Sequence, residues 1–161
     1  MSTVNYTEYG LAPWIDFEGV GSTWQAKDEI AFTVKFKGHH CGIVLEYEQK
    51  SGKDYIAIEN DTNVCITLDG DQIWFSKEFE GITTKESLSS FYGSLEYLDY
   101  DEKVERYKTV RFKARYNKGG KYDTCHRFNI NIDLRQKADD GTERWIGLTI
   151  DPDIKNPPPH A

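Results

Sequence analysis

The sequence predicts an all-β, single-domain protein, an antiparallel β-sandwich of about eight or nine strands of jelly-roll or immunoglobulin-like kind, with an up-and-down barrel as its rival. Three observations predict it. Apolar residues recur with a period of two along most of the chain, and clusters of Gly, Asp, Asn and Lys punctuate that alternation. Aromatic residues make up 14% of the chain, with ten tyrosines and four tryptophans, and flat side chains suit a pleated surface. A chain of 161 residues is long enough to close one core without staples.

The elements follow in order. IAFTVKF sets Phe32, Val34 and Phe36 on one face and Thr33 and Lys35 on the other, and IVLEYE repeats this with Ile43, Leu45 and Tyr47. KDYIAIE follows the loop QKSG, VCITL follows ENDTN, and IWFSKEF follows LDGD. Asp69-Gly70 is a two-residue hairpin signal. Pairing Leu68 with Asp71 would set Ile66 opposite Ile73 and Val64 opposite Phe75, all on one face. TTKESLSS, with Thr83 and Glu86 at capping-box spacing, predicts a short helix or irregular crossover between two groups of strands.

The second group runs FYGSLEYL, VERYKTVRFKARY, CHRFNINIDLRQ and RWIGLTI. Centring each loop pairs Phe112 with Phe128, Val110 with Ile130, Ile132 with Ile146 and Ile130 with Leu148. One apolar face then holds Val110, Phe112, Ala114, Phe128, Ile130, Ile132, Ile146, Leu148 and Ile150. The domain is expected to span 1–154, with 155–161 a proline-rich tail, because proline donates nothing to a ladder.

Composition excludes some classes. A net charge of -7 argues against nucleic acid as a partner, since phosphate binding wants a basic face. No apolar run approaches the ~18 residues of a membrane span, and MSTVNYTEYG has no secretory pattern. Cys41, Cys65 and Cys125 are odd in number and far apart, a poor disulfide framework. The expectation is a soluble cytoplasmic protein.

Two residue sets carry chemistry. On the polar side of the second group, the same register places Arg111, Arg127, Asn129, Asn131 and Asp133 around an outward Trp145, with Asp133 facing Trp145 and Arg111 facing Asn129. An indole beside planar polar groups can stack on a sugar while its neighbours bond hydroxyls. This set supports a non-enzymatic binding module for carbohydrate or another small polar ligand, with no cofactor. The second set is GHHCG with Cys125-His126: His39, His40, Cys41, Cys125 and His126 are soft ligands suited to zinc or copper, although their spacing follows no familiar zinc pattern. A symmetric loop there would pair Phe36 with Val44 and Val34 with Glu46. The apolar faces then disagree, so the connection is expected to hold a bulge, an odd loop or a jump between sheets. Two further classes remain open: a small metal- or Cys/His-dependent enzyme built on those loops, and a protein that self-associates through strand edges.

Overall fold

The computed structural model describes residues 28–39, 42–84, 92, 95–120, 124–156 and 158–159. Eleven strands occupy them: β1 (Asp28–His39), β2 (Gly42–Gln49), β3 (Ile56–Ala57), β4 (Thr62–Asp69), β5 (Ile73–Phe75), β6 (Ile82–Thr84), β7 (Glu96–Asp101), β8 (Arg106–Ala114), β9 (Cys125–Lys137), β10 (Glu143–Ile150) and β11 (Asp153–Lys155). A 3-10 turn at Lys118–Gly120 is the only helical element among the described residues. The all-β, single-domain expectation holds.

The strands form two sheets. The first has the order β2-β1-β4-β8-β7, and the second is built on β9, with β10 along one edge. The other edge of β9 is shared in series by β5 at Ile132–Leu134 and β6 at Phe128–Ile130, while β11 continues the register of β10 along Cys125–Arg127, with Asp153 on Arg127 after Ile150 on Ile130. Beyond β11 lies β3. Both sheets are mixed: β1 runs parallel to β4, and β11 parallel to β3. The expected purely antiparallel arrangement is therefore corrected. A parallel neighbour needs a crossover, and the chain supplies one by placing β3 in the second sheet between β2 and β4.

Alternation placed the core residues correctly but mispaired the strands. Val64, Ile66, Val110 and Phe112 line the inner face of the first sheet, and Ile73, Phe75, Phe128, Ile130 and Ile132 that of the second; all are buried in one cluster. Asp69-Gly70 closes no hairpin, since β4 pairs with β1 and β8 while β5 pairs with β9. Likewise Phe112 pairs with Val64, not Phe128. Period two fixes which face a residue uses, and two strands facing one core from opposite sheets satisfy it as well as two neighbours do. The β9–β10 hairpin does form, with Leu148 on Ile132 and Ile146 on Leu134. The two-residue shift from the expected register is even, so every side chain keeps its face.

The GHHCG connection also resolves differently. His39 pairs with Gly42, Phe36 with Leu45 and Val34 with Tyr47, so the apolar faces agree with neither bulge nor jump. Of the expected helix, Thr83 and Thr84 belong to β6, and the rest lies outside the described residues. No helix among the described residues is long and apolar enough to cross a membrane.

Candidate functional site

The inner row of β8 begins as core: Ala114, Phe112 and Val110 are buried. Two steps further along the same row the residues become Lys108 and Arg106. There β8 passes the short strand β5, and both cations reach past it. Lys108 Nζ donates to the carbonyl oxygens of Gly70 and Ile73. Arg106 Nε donates to Asp133 Oδ2 at 2.7 Å, and its Nη1 to the Val104 carbonyl at 2.7 Å. Asp133 Oδ2 also accepts the Lys77 backbone N–H at 3.1 Å.

The Arg106 guanidinium lies 3.6 Å from the ring centroid of Trp145, close enough for a cation–π contact. Trp145 in turn meets Trp74 in a T-shaped arrangement, with centroids 5.5 Å apart. Over Trp74 stand two more cations, Lys108 at 4.3 Å and Arg135 at 4.8 Å from the centroid. Trp74 is only 3% exposed, and its Nε1 has no hydrogen-bond partner. Two indoles and three cations thus occupy one place, built from β5, β8, β9 and β10.

Burial lowers the Lys108 pKa below the ordinary lysine range. Asp71, Asp69 and Asp101 pull it back up, while the Arg135 charge lowers it further. Among the described residues, neither Lys108 nor Arg135 has a carboxylate within ion-pairing distance. At the β9–β10 turn opens a hollow of about 590 Å³, lined by Gln72, Gln136, Lys137, Thr142, Glu143 and Arg144 among others, with neither indole and none of the three cations in its wall. Gln72 Nε2 ties it to the cluster by donating to the Arg135 carbonyl at 3.1 Å.

The residues singled out from sequence distribute as follows. Trp145 and Asp133 come together, bridged by Arg106, although Trp145 pairs with Arg135 rather than with Asp133. Asn131 and Asn129 continue the same row of β9. Asn131 donates from Nδ2 to the Glu80 carbonyl and to Thr83 Oγ1, and its Oδ1 accepts from Thr149; Asn129 pairs with Thr83. Arg127 lies at the far end of the row, opposite Asp153. Arg111 is on the other sheet, clamped by both oxygens of Glu96, and so does not face Asn129. Sequence reasoning missed Trp74, Arg106, Lys108 and Arg135. The available signal was the change from apolar to cationic along the even-numbered row of β8.

The histidine and cysteine set is divided. His39 ends β1 in the first sheet, and His40 and Cys41 lie outside the described residues. Cys125 and His126 begin β9 in the second sheet. No group of three or more His, Cys, Asp or Glu among the described residues could hold a metal ion. His126 is buried, with Nδ1 2.8 Å from the Tyr92 hydroxyl. Asn156 Nδ2 donates to that same hydroxyl at 3.2 Å, and Asn156 Oδ1 accepts the Asn117 backbone N–H at 2.7 Å. Burial pushes the Tyr92 phenol well above its usual range. Cys125 is exposed; partial burial and then Asp153 raise its thiol pKa, the reverse of what activates a nucleophile. A second buried group is Glu80, whose Oε2 accepts from the Tyr97 hydroxyl at 3.0 Å.

A five-stranded and a six-stranded sheet around one core, with an aromatic–cationic cluster at the point where β8 passes β5, define a mixed two-sheet β-domain. The family pNTSase1, described as a predicted novel nucleotide synthetase, matches residues 1–159, and the chain belongs to that family. No curated protein matches it. The family overturns the expectation of a non-enzymatic binding module: a nucleotide synthetase is an enzyme. Sequence pattern could not reach this, because no catalytic signature stands out among the chain's many acidic and aromatic residues.

Proposed function

We propose that this protein is a nucleotide-forming enzyme and that its nucleotide substrate is held at the Trp74–Trp145 cluster. The reading rests on family membership together with one observation: a half-buried tryptophan on an outward row, backed by Arg106 at 3.6 Å. The next outward residue on β10 is Gly147, where an added Cβ would meet nothing within 4 Å. The strip beside Trp145 is therefore open. The indole is a platform on which a base can stack whatever its sequence identity. Arg106 and Asp133 fix that platform, since their ion pair joins the two sheets beneath it. Thr149 lies further along the strip; its hydroxyl donates to Asn131 Oδ1 at 2.9 Å, which leaves its oxygen free to accept from a sugar or base edge.

The test has two readouts. The full chain is incubated with ribonucleoside triphosphates and magnesium, and new nucleotides are sought by mass spectrometry; in parallel, triphosphate binding is measured by calorimetry. We expect product from the wild type. Trp145→Ala should weaken binding about tenfold or more, since stacking on one aromatic contributes roughly 1–3 kcal/mol. Unchanged binding in Trp145→Ala would move the site elsewhere, and a wild type forming no nucleotide product would refute the activity.

A further inference from the structure

We propose that Lys108 and Arg135, over the ring of Trp74, form a subsite for a polyphosphate chain, so that the substrate enters as a nucleoside di- or triphosphate. This rests on the nucleotide-forming reading above and names the part of the substrate that the cluster recognises.

The chain carries 27 acidic against 20 basic residues, so carboxylate partners are plentiful. Lys35, Lys37, Lys77, Arg106, Arg111 and Lys137 each reach a carboxylate within 3.4 Å, whereas Lys53 and Lys155, over Tyr55, show none among the described residues. Lys108 and Arg135 show none there either, and both stand over one indole, at 4.3 and 4.8 Å. Two like charges gathered on one ring repel each other, and the lowered Lys108 pKa reflects both that repulsion and burial. Asp69, Asp71 and Asp101 act on Lys108 from outside ion-pairing range, so they attenuate the positive potential without occupying it.

Donor geometry adds to charge. Lys108 uses two of its protons on the Gly70 and Ile73 carbonyls, which leaves the third for a ligand among the described residues. Arg135 makes one long side-chain bond, from Nη2 to the Asp71 carbonyl at 3.3 Å. Trp74 Nε1 is buried without an acceptor; it is closed to solvent and lends the subsite no donor. The purely structural alternative, in which Lys108 only ties down the Gly70–Ile73 segment, accounts for one cation. It leaves Arg135, the second cation over the same ring, unexplained.

The probe is tripolyphosphate alone, titrated into the full chain by calorimetry at fixed ionic strength without divalent metal. Wild type should bind, and Lys108→Met and Arg135→Gln should each lose at least tenfold in affinity. Lys50→Met, which removes the same charge from the exposed β2–β3 loop, should bind as wild type does. Circular dichroism melts check that the variants fold; Arg135→Gln serves if Lys108→Met does not. No binding by wild type, or equal losses in Lys50→Met, would overturn the subsite. The two readings separate cleanly. Nucleotide products made by a protein whose tripolyphosphate binding ignores both substitutions would sink the subsite and leave the activity standing. Subsite-dependent binding without any nucleotide product would do the opposite.

Discussion

The outer face of the first sheet and the corner where β8 passes β5 use the same alternating sequence pattern and handle charge in opposite ways. On the outer face of the first sheet, cations are neutralised one by one across the strands. Lys35 meets Glu48 at 2.6 Å, Lys37 meets Glu46 at 2.9 Å, and Arg111 meets Glu96 at 2.8 Å. At the corner where β8 passes β5, three cations crowd two tryptophans, and of the three only Arg106 has a close carboxylate, Asp133, among the described residues. The first arrangement keeps a solvated surface soluble and in register. The second concentrates positive potential and aromatic surface in one place, at a cost in repulsion that folding alone gives no reason to accept. A difference of this kind separates a face that is merely exposed from one suited to a ligand.

The largest expected effect comes from breaking the carboxylate at the corner. The side chains of Arg106 and Asp133 are only 12% and 13% exposed, and removing one partner of a buried pair typically costs about 3–5 kcal/mol because a charge is left stranded. Asp133→Ala should therefore shift the urea midpoint well below that of wild type. A double variant, Arg106→Met with Asp133→Leu, should recover most of the loss. If Asp133→Ala were as mild as a surface substitution, the corner would be no different in kind from the outer ladder.

How far sequence carries this picture depends on what alternation encodes. It named the buried rows, including Phe128, Ile130 and Ile132 on β9 and Val110 and Phe112 on β8, because side-chain direction is local. It did not name neighbours. The interposition of β3, the jump at Gly70 and the sharing of one β9 edge by two short strands are decided by the closing of two sheets over one core. The site was legible to the same degree. Trp145 and Asp133 stood out as polar-face residues, and Lys108 and Arg106 could have been found by following the inner row of β8 beyond Val110. That Trp74 joins them follows only from the pairing of β5 with β9.

A smaller effect should appear in pH dependence. Lys108 has a folded-state pKa below the usual lysine value because of burial first. Between that pKa and about 10.4, the unfolded chain holds more protons than the folded one, so the Lys108 contribution to stability rises with pH. Phosphate binding needs the charged form and should move the other way. Tripolyphosphate affinity should decline at a lower pH than an ordinary lysine would give, and Lys108→Met should remove that decline. An affinity that stays flat until beyond the ordinary lysine range would place the binding charge elsewhere. The groups that set this balance, Asp71, Asp69, Asp101 and Arg135, are those acting on the ammonium.

The smallest effects belong to the outer ladder and complete the comparison. Lys35 and Glu48 have side chains 37% and 59% exposed, and Lys37 and Glu46 52% and 51%. Exposed pairs contribute about 0.2–1 kcal/mol each, and salt screens them. Glu48→Ala and Glu46→Ala should each shift the urea midpoint only slightly, and added salt should shrink even that. Nucleotide binding should not change, because both residues lie on β2, at the edge of the sheet remote in sequence pairing from β9. Equal salt sensitivity in Asp133→Ala would mean that the corner pair is as wet as the ladder. Salt-insensitive loss there, beside salt-sensitive loss on β2, would establish that the corner and the outer ladder hold their charges in different surroundings, which is the premise on which a ligand site at Trp74 and Trp145 depends.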